Sequence, residues 1–524
     1  MKKMKHRILS LSILLVLSIT VFTGCKSTAF VEKAPLSGSE QTTATQNIAY
    51  FADTQCPSSL DPAESWNSWY TSRWGITETL YKLDENLKPQ PFLAASCERK
   101  DADTWVITLR EDVTFQNGKK MTAESVKACW ERTMEMNSRF NELLYIDKIL
   151  ADGQALTVTT NKPVPAFYNS LCEPLTGIID VTGADDIKVN PVGTGPFKPV
   201  SYEVKTRAEV TGYDGYWGGK PKLDGAVINI ISDTGTLAMA QQNGESDLSV
   251  SMPAASLELF SDTAKYKIDG VSGSRGQVIF INFSNEFLQD ISLRKAISMS
   301  IDKDNYAKVL NKGASVTTTG LYPDFMAFGG ANGYAYDIGG ANRLLDEAGY
   351  IDTDGDGIRE MNGKNITLRL STYNTKAELP NFCNEIASTA KDIGISISVE
   401  VYDSVTEQQK TKDFDLLMVS FTMVPTGDPQ YFADIAFHTG GSSNYGGYSN
   451  KAADALIEEL DTEFNSDRRV ELAKEIQQII IDDAGYIVAG HSKFIYVMGS
   501  NLKDLHTNPS EYYMLDANVY LENR

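Results

Sequence analysis

The chain has 524 residues, six of them cysteine and four histidine, and a formal net charge of −21. That length exceeds what one core holds and suits two or three lobes. The acidic balance argues against nucleic acid and anionic lipid as partners held by charge, but it names no ligand, since acidity also keeps a secreted protein soluble.

At the front, Lys2, Lys3, Lys5 and Arg7 precede an almost unbroken apolar run over residues 8–22 that ends at Thr23, Gly24 and Cys25. The pattern predicts a secretory signal over residues 1–24. Its apolar run of about 15 residues falls short of the roughly 20 that span a bilayer, which disfavours a permanent transmembrane helix. Small residues before Cys25 resemble a bacterial lipobox, with Phe22 departing from the usual leucine; the resemblance implies cleavage before Cys25 and a diacylglyceryl group on its thiol. Residues 25–46 then read as the lipidated Cys25 and a Ser/Thr-rich flexible tether. Without the four basic residues of the signal the body carries a charge of about −25.

Cys56, Cys97, Cys129, Cys172 and Cys383 remain, an odd number at irregular spacing that fits buried apolar side chains and at most one or two disulfides. Residues 104–110 and 155–160 read as strands, and between them Thr122 caps a helix carrying Val126, Cys129, Trp130 and Thr133 at helical spacing. Farther on, Ile279, Ile281 and Phe283 alternate as a half-buried strand, and Ser292 is expected to cap a helix carrying Leu293, Ala296, Ile297 and Ile301. Strands are predicted at 366–373, 395–401, 415–421 and 494–498, and helices at 381–393, 451–464 and 467–483. The body is therefore α/β throughout.

Residues 191–253 carry the densest pattern. Gly193, Gly195 and Pro196 are read as turn formers, with glycine supplying positive φ, ahead of a strand starting at Phe197. Tyr216 and Trp217 precede a second turn at Gly218, Gly219 and Pro221, followed by an apolar strand over 226–231. Asp233 then caps a helix over 237–242 that Gly244 stops.

The order and spacing of PVGTGPFK, GYWGGKPKLDGAVINII and SDTGTLAMAQQNGESDLSVSMP resemble the peptide/nickel family (family 5, cluster C) of ABC-transporter solute-binding lipoproteins. The likeness runs over nearly the whole body, from about residue 48 to 522. It implies a two-lobed periplasmic-binding-protein type II fold with an extra subdomain: lobe I over 47–273 with the subdomain at about 83–191, lobe II over 274–491, and a return to lobe I over 492–524. The crossings are expected near 272–277 and 490–493. It also implies an extracytoplasmic, lipid-anchored monomer, on the periplasmic side or the outer face of a bacterial membrane. Such a protein works with a separate permease and ATPase and without a cofactor.

A receptor of this kind holds its ligand between the lobes, so the site must draw on both. From lobe I, Trp66, Trp69 and Tyr70 follow Leu60–Pro62 in an apparent loop, either facing the cleft or packing beneath it. From lobe II, Thr422, Met423, Val424, Asp428 and Tyr431 fall in a stretch resembling the family's ligand-lining loop, and Asn282 joins the set. Dipeptide receptors hold the ligand's ammonium with an aspartate just upstream of an Asp-Pro pair; here Pro425 stands there, so Asp428 either substitutes or fixes the turn before Pro429. Nickel receptors use a lobe I arginine, whose place Leu175 takes, and a lobe II histidine, near which His438 lies out of register. Arg275, at the crossing, either meets a ligand carboxylate or ties the crossover by a salt bridge.

Asp352, Asp354 and Asp356 imitate the opening of a calcium loop, but position 12 is Gly363, and an exposed hairpin is the alternative. Enzyme motifs are missing: there is no GxSxG, HExxH or GxxxxGK[ST], and the SxxK at Ser292 and Lys295 lacks KTG and SDN companions. The expected function is capture of oligopeptides or similar small solutes for import, with a nickel or metallophore chelate as the alternative and a surface hydrolase as a distant one.

Overall fold

The computed structural model describes residues 47–376 and 378–522. The predicted signal, Cys25 and the tether lie outside them. Among the described residues no helix is long and apolar enough to cross a membrane.

An 11-stranded sheet forms the spine. One half is built on Ile48–Asp53, which pairs in parallel with Gly225–Ile230 and Leu248–Val250 and is extended by the antiparallel strands Arg207–Gly212 and Phe197–Glu203. The other half has Thr367–Tyr373 parallel to both Ser396–Tyr402 and Leu416–Thr422. Two long antiparallel strands, Tyr266–Ile281 and Tyr486–Gly499, belong to both halves. Near one end they sit beside Leu248–Val250, and near the other beside Leu416–Thr422. Their register shifts between Ser272 and Gly276 and again between Gln277 and Val278. A bulge bends and twists a strand, so this is where the sheet can change direction without losing its ladder.

Each half has its own core. Ala49, Phe51, Trp74, Phe197, Ile228 and Tyr496 pack one, and Ile279, Leu293, Leu370, Phe382 and Met418 the other. A separate antiparallel sheet, ordered Ala94–Arg99, Thr104–Leu109, Ala155–Thr160 and Ile146–Asp152, is covered by the helix Ala123–Met136. Thr122 and Ser125 cap that helix reciprocally, and Val126, Cys129, Trp130 and Thr133 form its buried face as expected. The indole of Trp105 stacks on Phe167 at 4.6 Å and reaches Phe464 at 6.5 Å, so this sheet packs toward the second half.

Several sequence expectations need correction. Ser292 does not cap its helix; Asp290 does, accepting the Ser292 N–H at 2.7 Å. Phe283 lies past the end of its strand, and Val278 to Ile281 are buried on both faces, because the strand is central and sandwiched between two apolar layers. The helix predicted to reach residue 464 stops at Leu460. All five cysteines in the described body are free, so none of the one or two disulfides allowed above is present. Gly193 and Gly195 do not adopt positive φ. They are needed because a Cβ would come within 2.0 Å of the Ile76 carbonyl oxygen and 2.2 Å of that of Gly75.

Candidate functional site

In α/β sheets ligands gather outside the carboxyl ends of the parallel strands. Here those ends are marked by Asp53 on one half, and by Tyr373 and Thr422 on the other. The bulge residue Arg275 lies opposite Thr422 in the register. Its guanidinium grips Glu511 with Nε and Nη2, at 3.1 and 3.2 Å. Arg73, closing the helix Asn67–Arg73, donates to the Glu511 main-chain carbonyl at 3.0 Å and reaches the Asp53 carboxylate at 3.7 Å.

This charged knot is shielded from water, which sets its protonation. Burial alone would raise the Glu511 carboxyl, but Arg275, then Lys376 and Arg73, hold it below the ordinary carboxylate value. At Asp53 the balance reverses: burial outweighs Arg73 and the Gln55 and Thr54 amides, and the carboxyl is raised. Asp53 Oδ2, Ser274 Oγ, Thr422 Oγ1 and the Tyr496 hydroxyl are all buried without a hydrogen-bond partner among the described residues. Gathered at the strand ends and the bulge, these four atoms leave hydrogen-bonding capacity that a bound solute's polar groups can take up.

The aromatic residues build the neighbouring wall. Trp66, Trp69 and Tyr70 do not sit in a loop: Trp66 caps and the other two lie within the helix Asn67–Arg73. Trp69 donates its indole N–H to Glu173 at 2.9 Å, meets Tyr512 edge-on at 5.1 Å, and has the Arg275 guanidinium 5.7 Å from its ring. Trp66, 49% exposed, carries the Arg139 guanidinium 3.4 Å above its ring. Arg139 in turn binds Glu173 at 2.8 Å. The Tyr70 hydroxyl is pushed up to about 12 by burial and then by Asp53.

The 422–431 segment divides between site and scaffold. Met423 and Val424 are fully buried in the largest apolar cluster, and the Met423 N–H donates to the Ser274 carbonyl at 2.9 Å. The Pro425 carbonyl accepts the Tyr512 hydroxyl at 2.8 Å, and that of Thr426 accepts the Asn169 amide at 2.9 Å. Asp428 is fully engaged: it accepts the Gln430 N–H at 2.9 Å and pairs with Arg469 at 2.5 and 3.2 Å. That geometry fits the turn-fixing alternative. Tyr431 lines a cavity of about 10 Å³ with Glu142, Tyr145 and Asp434, room for about one water. The Asp434 carboxyl there is raised to about 9 by burial and by Asp461.

The remaining candidates lie apart. Asn282 follows the end of its strand, seven residues beyond Arg275, on the order of 20 Å away at strand rise. Its amide nitrogen donates to the Lys412 and Phe414 carbonyls, so it ties loops together and does not line the strand ends. His438 faces the surface with Nε2 3.7 Å from Glu458. Asp352, Asp354 and Asp356 bring carboxylate oxygens within 4.8 Å of one another, but all three accept backbone N–H groups of their own exposed hairpin. The Lys295 ammonium lies 5.8 Å over the Tyr334 ring.

Sequence reading missed Asp53, Arg73, Arg139, Glu173, Lys376 and Glu511. Their partners are remote: Trp69 and Glu173 are separated by 104 positions, Arg275 and Glu511 by 236. Paired charges scattered along a chain leave no local pattern. The signal that existed was Glu173 within CEPLTG, an acid amid apolar neighbours.

Residues 88–444 match the bacterial extracellular solute-binding proteins, family 5 Middle. The chain is 26% identical over 450 residues to the nickel-binding protein NikA of Staphylococcus aureus (strain NCTC 8325 / PS 47), covering 86% of this chain and 89% of that protein. The crystal structure of S. aureus NikA with Ni(L-His)2 matches with a TM-score of 0.80, over 91% of this chain and 100% of that one. A nickel ABC transporter structure from Bacillus halodurans matches at 30% identity and a TM-score of 0.76, over 91% and 100%. The dipeptide-binding protein DppE of Bacillus subtilis (strain 168) is 25% identical over 526 residues, 92% of this chain and 94% of that protein. The fold is thus the two-lobed type II fold expected from the sequence.

Proposed function

Because this chain belongs to family 5 of the bacterial extracellular solute-binding proteins, we propose that it captures a small solute between its lobes and hands it to an ABC permease driven by a separate ATPase. Binding and not turnover is the role that family and fold indicate. The observation that carries the reading is the set of buried polar atoms that lack a hydrogen bond among the described residues, Asp53 Oδ2, Ser274 Oγ, Thr422 Oγ1 and the Tyr496 hydroxyl, at the carboxyl ends of both half-sheets and at the crossing. A solute seated there would complete their hydrogen bonds and join the lobes. Trp66, Trp69, Tyr70, Arg275, Thr422 and Tyr431 are its proposed contacts, with Arg73, Asp53 and Glu511 as the charged floor. Lobe I spans 47–273 and 492–524, lobe II 274–491, and the bulge at Ser272/Gly276 supports the first crossing. Cys25 carries the lipid that holds a monomeric body outside the cell.

Oligopeptide is the first ligand. An extended peptide satisfies orphaned polar groups with its backbone and leaves side chains to tolerant pockets, and the likeness to DppE supports it. A nickel chelate is the second reading, favoured by the likeness to NikA and the B. halodurans protein. Native mass spectrometry of gently purified protein tests the choice. A heterogeneous set of short peptides is expected, and a single nickel-containing adduct would replace the first reading with the second. Hydrolysis of bound peptide by the purified protein would refute a pure carrier.

A further inference from the structure

The antiparallel subdomain and the second half meet along a seam that is shut in this structure. One apolar cluster runs across it, with Leu143, Val164 and Phe167 on one side and Phe432 and Ala433 on the other. The cavity of about 10 Å³ interrupts that cluster. Glu142, Tyr145 and Ser170 line it from the first side, and Thr426, Tyr431 and Asp434 from the second.

At its edge two acids touch. Asp461, which ends the helix Lys451–Leu460, has both carboxylate oxygens engaged: Oδ2 with Lys162 at 2.8 Å, across the seam, and Oδ1 with the Gln430 amide at 2.9 Å. Asp434 has no ion pair with a described residue, and its carboxyl hydrogen-bonds that of Asp461. Two carboxylates offer acceptors alone, so such a bond needs a proton between them. With that proton the pair carries one negative charge, and the Lys162 ammonium neutralises it. Without it, two negative charges face one cation.

The other titratable groups nearby leave this balance in place. In the second half, Asp428 is held by Arg469, His438 turns to Glu458 at the surface, and burial raises the hydroxyls of Tyr322 and Tyr431. In the subdomain, Arg139 is held by Glu173, burial raises the Glu142 carboxyl, and the Tyr145 hydroxyl is pushed up to about 12. Burial first and Asp461 next raise the Asp434 carboxyl to about 9, with Lys162 opposing them. Parting the seam lets water reach that acid and returns it toward its ordinary value. Closing therefore takes up a proton between the ordinary carboxylate value and about 9, and the shut form loses ground as pH rises through that window.

We propose that the seam is latched by one proton shared between Asp434 and Asp461, facing Lys162, so that the two sides part as that proton leaves. This goes beyond the receptor reading and holds whatever the solute, because the latch acts between parts of this chain.

Small-angle scattering of the unliganded protein from pH 5 to pH 9, on wild type, D434N and E142Q, tests it. Wild type should be most compact at pH 5 and expand as the pH rises, its ratio of shut to open form falling by up to about tenfold per pH unit. D434N keeps a hydrogen bond to Asp461 without a titrating proton, so it should stay compact across the range. E142Q alters the other acid of the cavity and should keep the wild-type profile. At pH 6 the infrared difference between wild type and D434N should contain the C=O stretch of a protonated carboxyl from wild type. Four outcomes overturn the latch: a wild-type profile indifferent to pH, a pH response that survives in D434N, a response lost in E142Q, or no protonated carboxyl at pH 6. All four leave the receptor reading untouched, since that reading is tested by the mass of the bound solute.

Discussion

At the scale of single residues, Glu78 explains why the signature stretch looks as it does. Its carboxylate is buried and accepts from Thr194 Oγ1 at 2.9 Å, the Tyr216 hydroxyl at 2.6 Å and the Trp217 indole N–H at 3.0 Å. The GTG and GYW motifs thus converge on one acid near the end of the helix that carries Trp69. Burial still wins, and the carboxyl is raised to about 7 despite the three donors. The folded state therefore holds this proton more tightly than the unfolded chain. Its contribution to stability is complete below the ordinary glutamate value and is lost as pH rises from there through about 7. A shift of that size corresponds to roughly 3 kcal/mol. Glu78→Gln should flatten the slope: melting curves from pH 4 to 8 should show wild type losing stability relative to the variant across that window, with the variant ahead at pH 8. Parallel pH profiles would mean the carboxyl is not the source.

At the scale of elements, the glycines of the signature stretch make opposite predictions. Gly195→Ala would drive a methyl into the Gly75 carbonyl, a backbone group that cannot step aside, and should cost several kcal/mol or prevent folding. Gly235→Ala lies in the helix Thr234–Gln242, where the nearest neighbour of the added carbon is Asp233 Oδ1 at an ordinary 3.4 Å. It should stabilise by up to about 1 kcal/mol. Chemical denaturation of the two variants reads both signs.

The same stretch marks what could be read from the chain. Local rules found the strand at Phe197, the Asp233 cap and the helix behind it, because turns, caps and amphipathic faces are set by near neighbours. They also found Ala155–Thr160 to the residue. They took the glycines for positive-φ turns, since a close approach by Gly75 and Ile76, over a hundred positions away, leaves no trace in sequence spacing. The candidate site was legible where it is aromatic and clustered, at Trp66, Trp69 and Tyr70, which the structure brings beside Arg275 and Asp53. It was illegible where it is ionic, because Glu511 lies 236 positions from the Arg275 it serves.

At the scale of the whole molecule, the Arg275–Glu511 pair is joined by three further polar links between the antiparallel subdomain or the return segment and the second half. Lys162 meets Asp461 at 2.8 Å, Asn169 meets the Thr426 carbonyl at 2.9 Å, and Tyr512 meets the Pro425 carbonyl at 2.8 Å. The Tyr512 link is fully buried, whereas the Lys162 and Asn169 links are only part-buried and should let closure be tuned. Lys162→Met removes a cation that also offsets the negative charge of Asp434 and Asp461 and holds the Asp434 carboxyl down against its burial. In small-angle scattering without ligand, the variant should be more expanded than wild type, and saturating ligand should bring the two together. Identical unliganded profiles would assign closure to the other contacts.

The two strands shared by both half-sheets have a mechanical consequence. A flexure in a continuous ladder concentrates at its bulge, and this bulge contains Arg275. Any rotation of one lobe against the other therefore re-aims that guanidinium and strains its grip on Glu511. Pivot and ion pair are one part, and the angle of the joint is written directly into the direction in which that buried charge points.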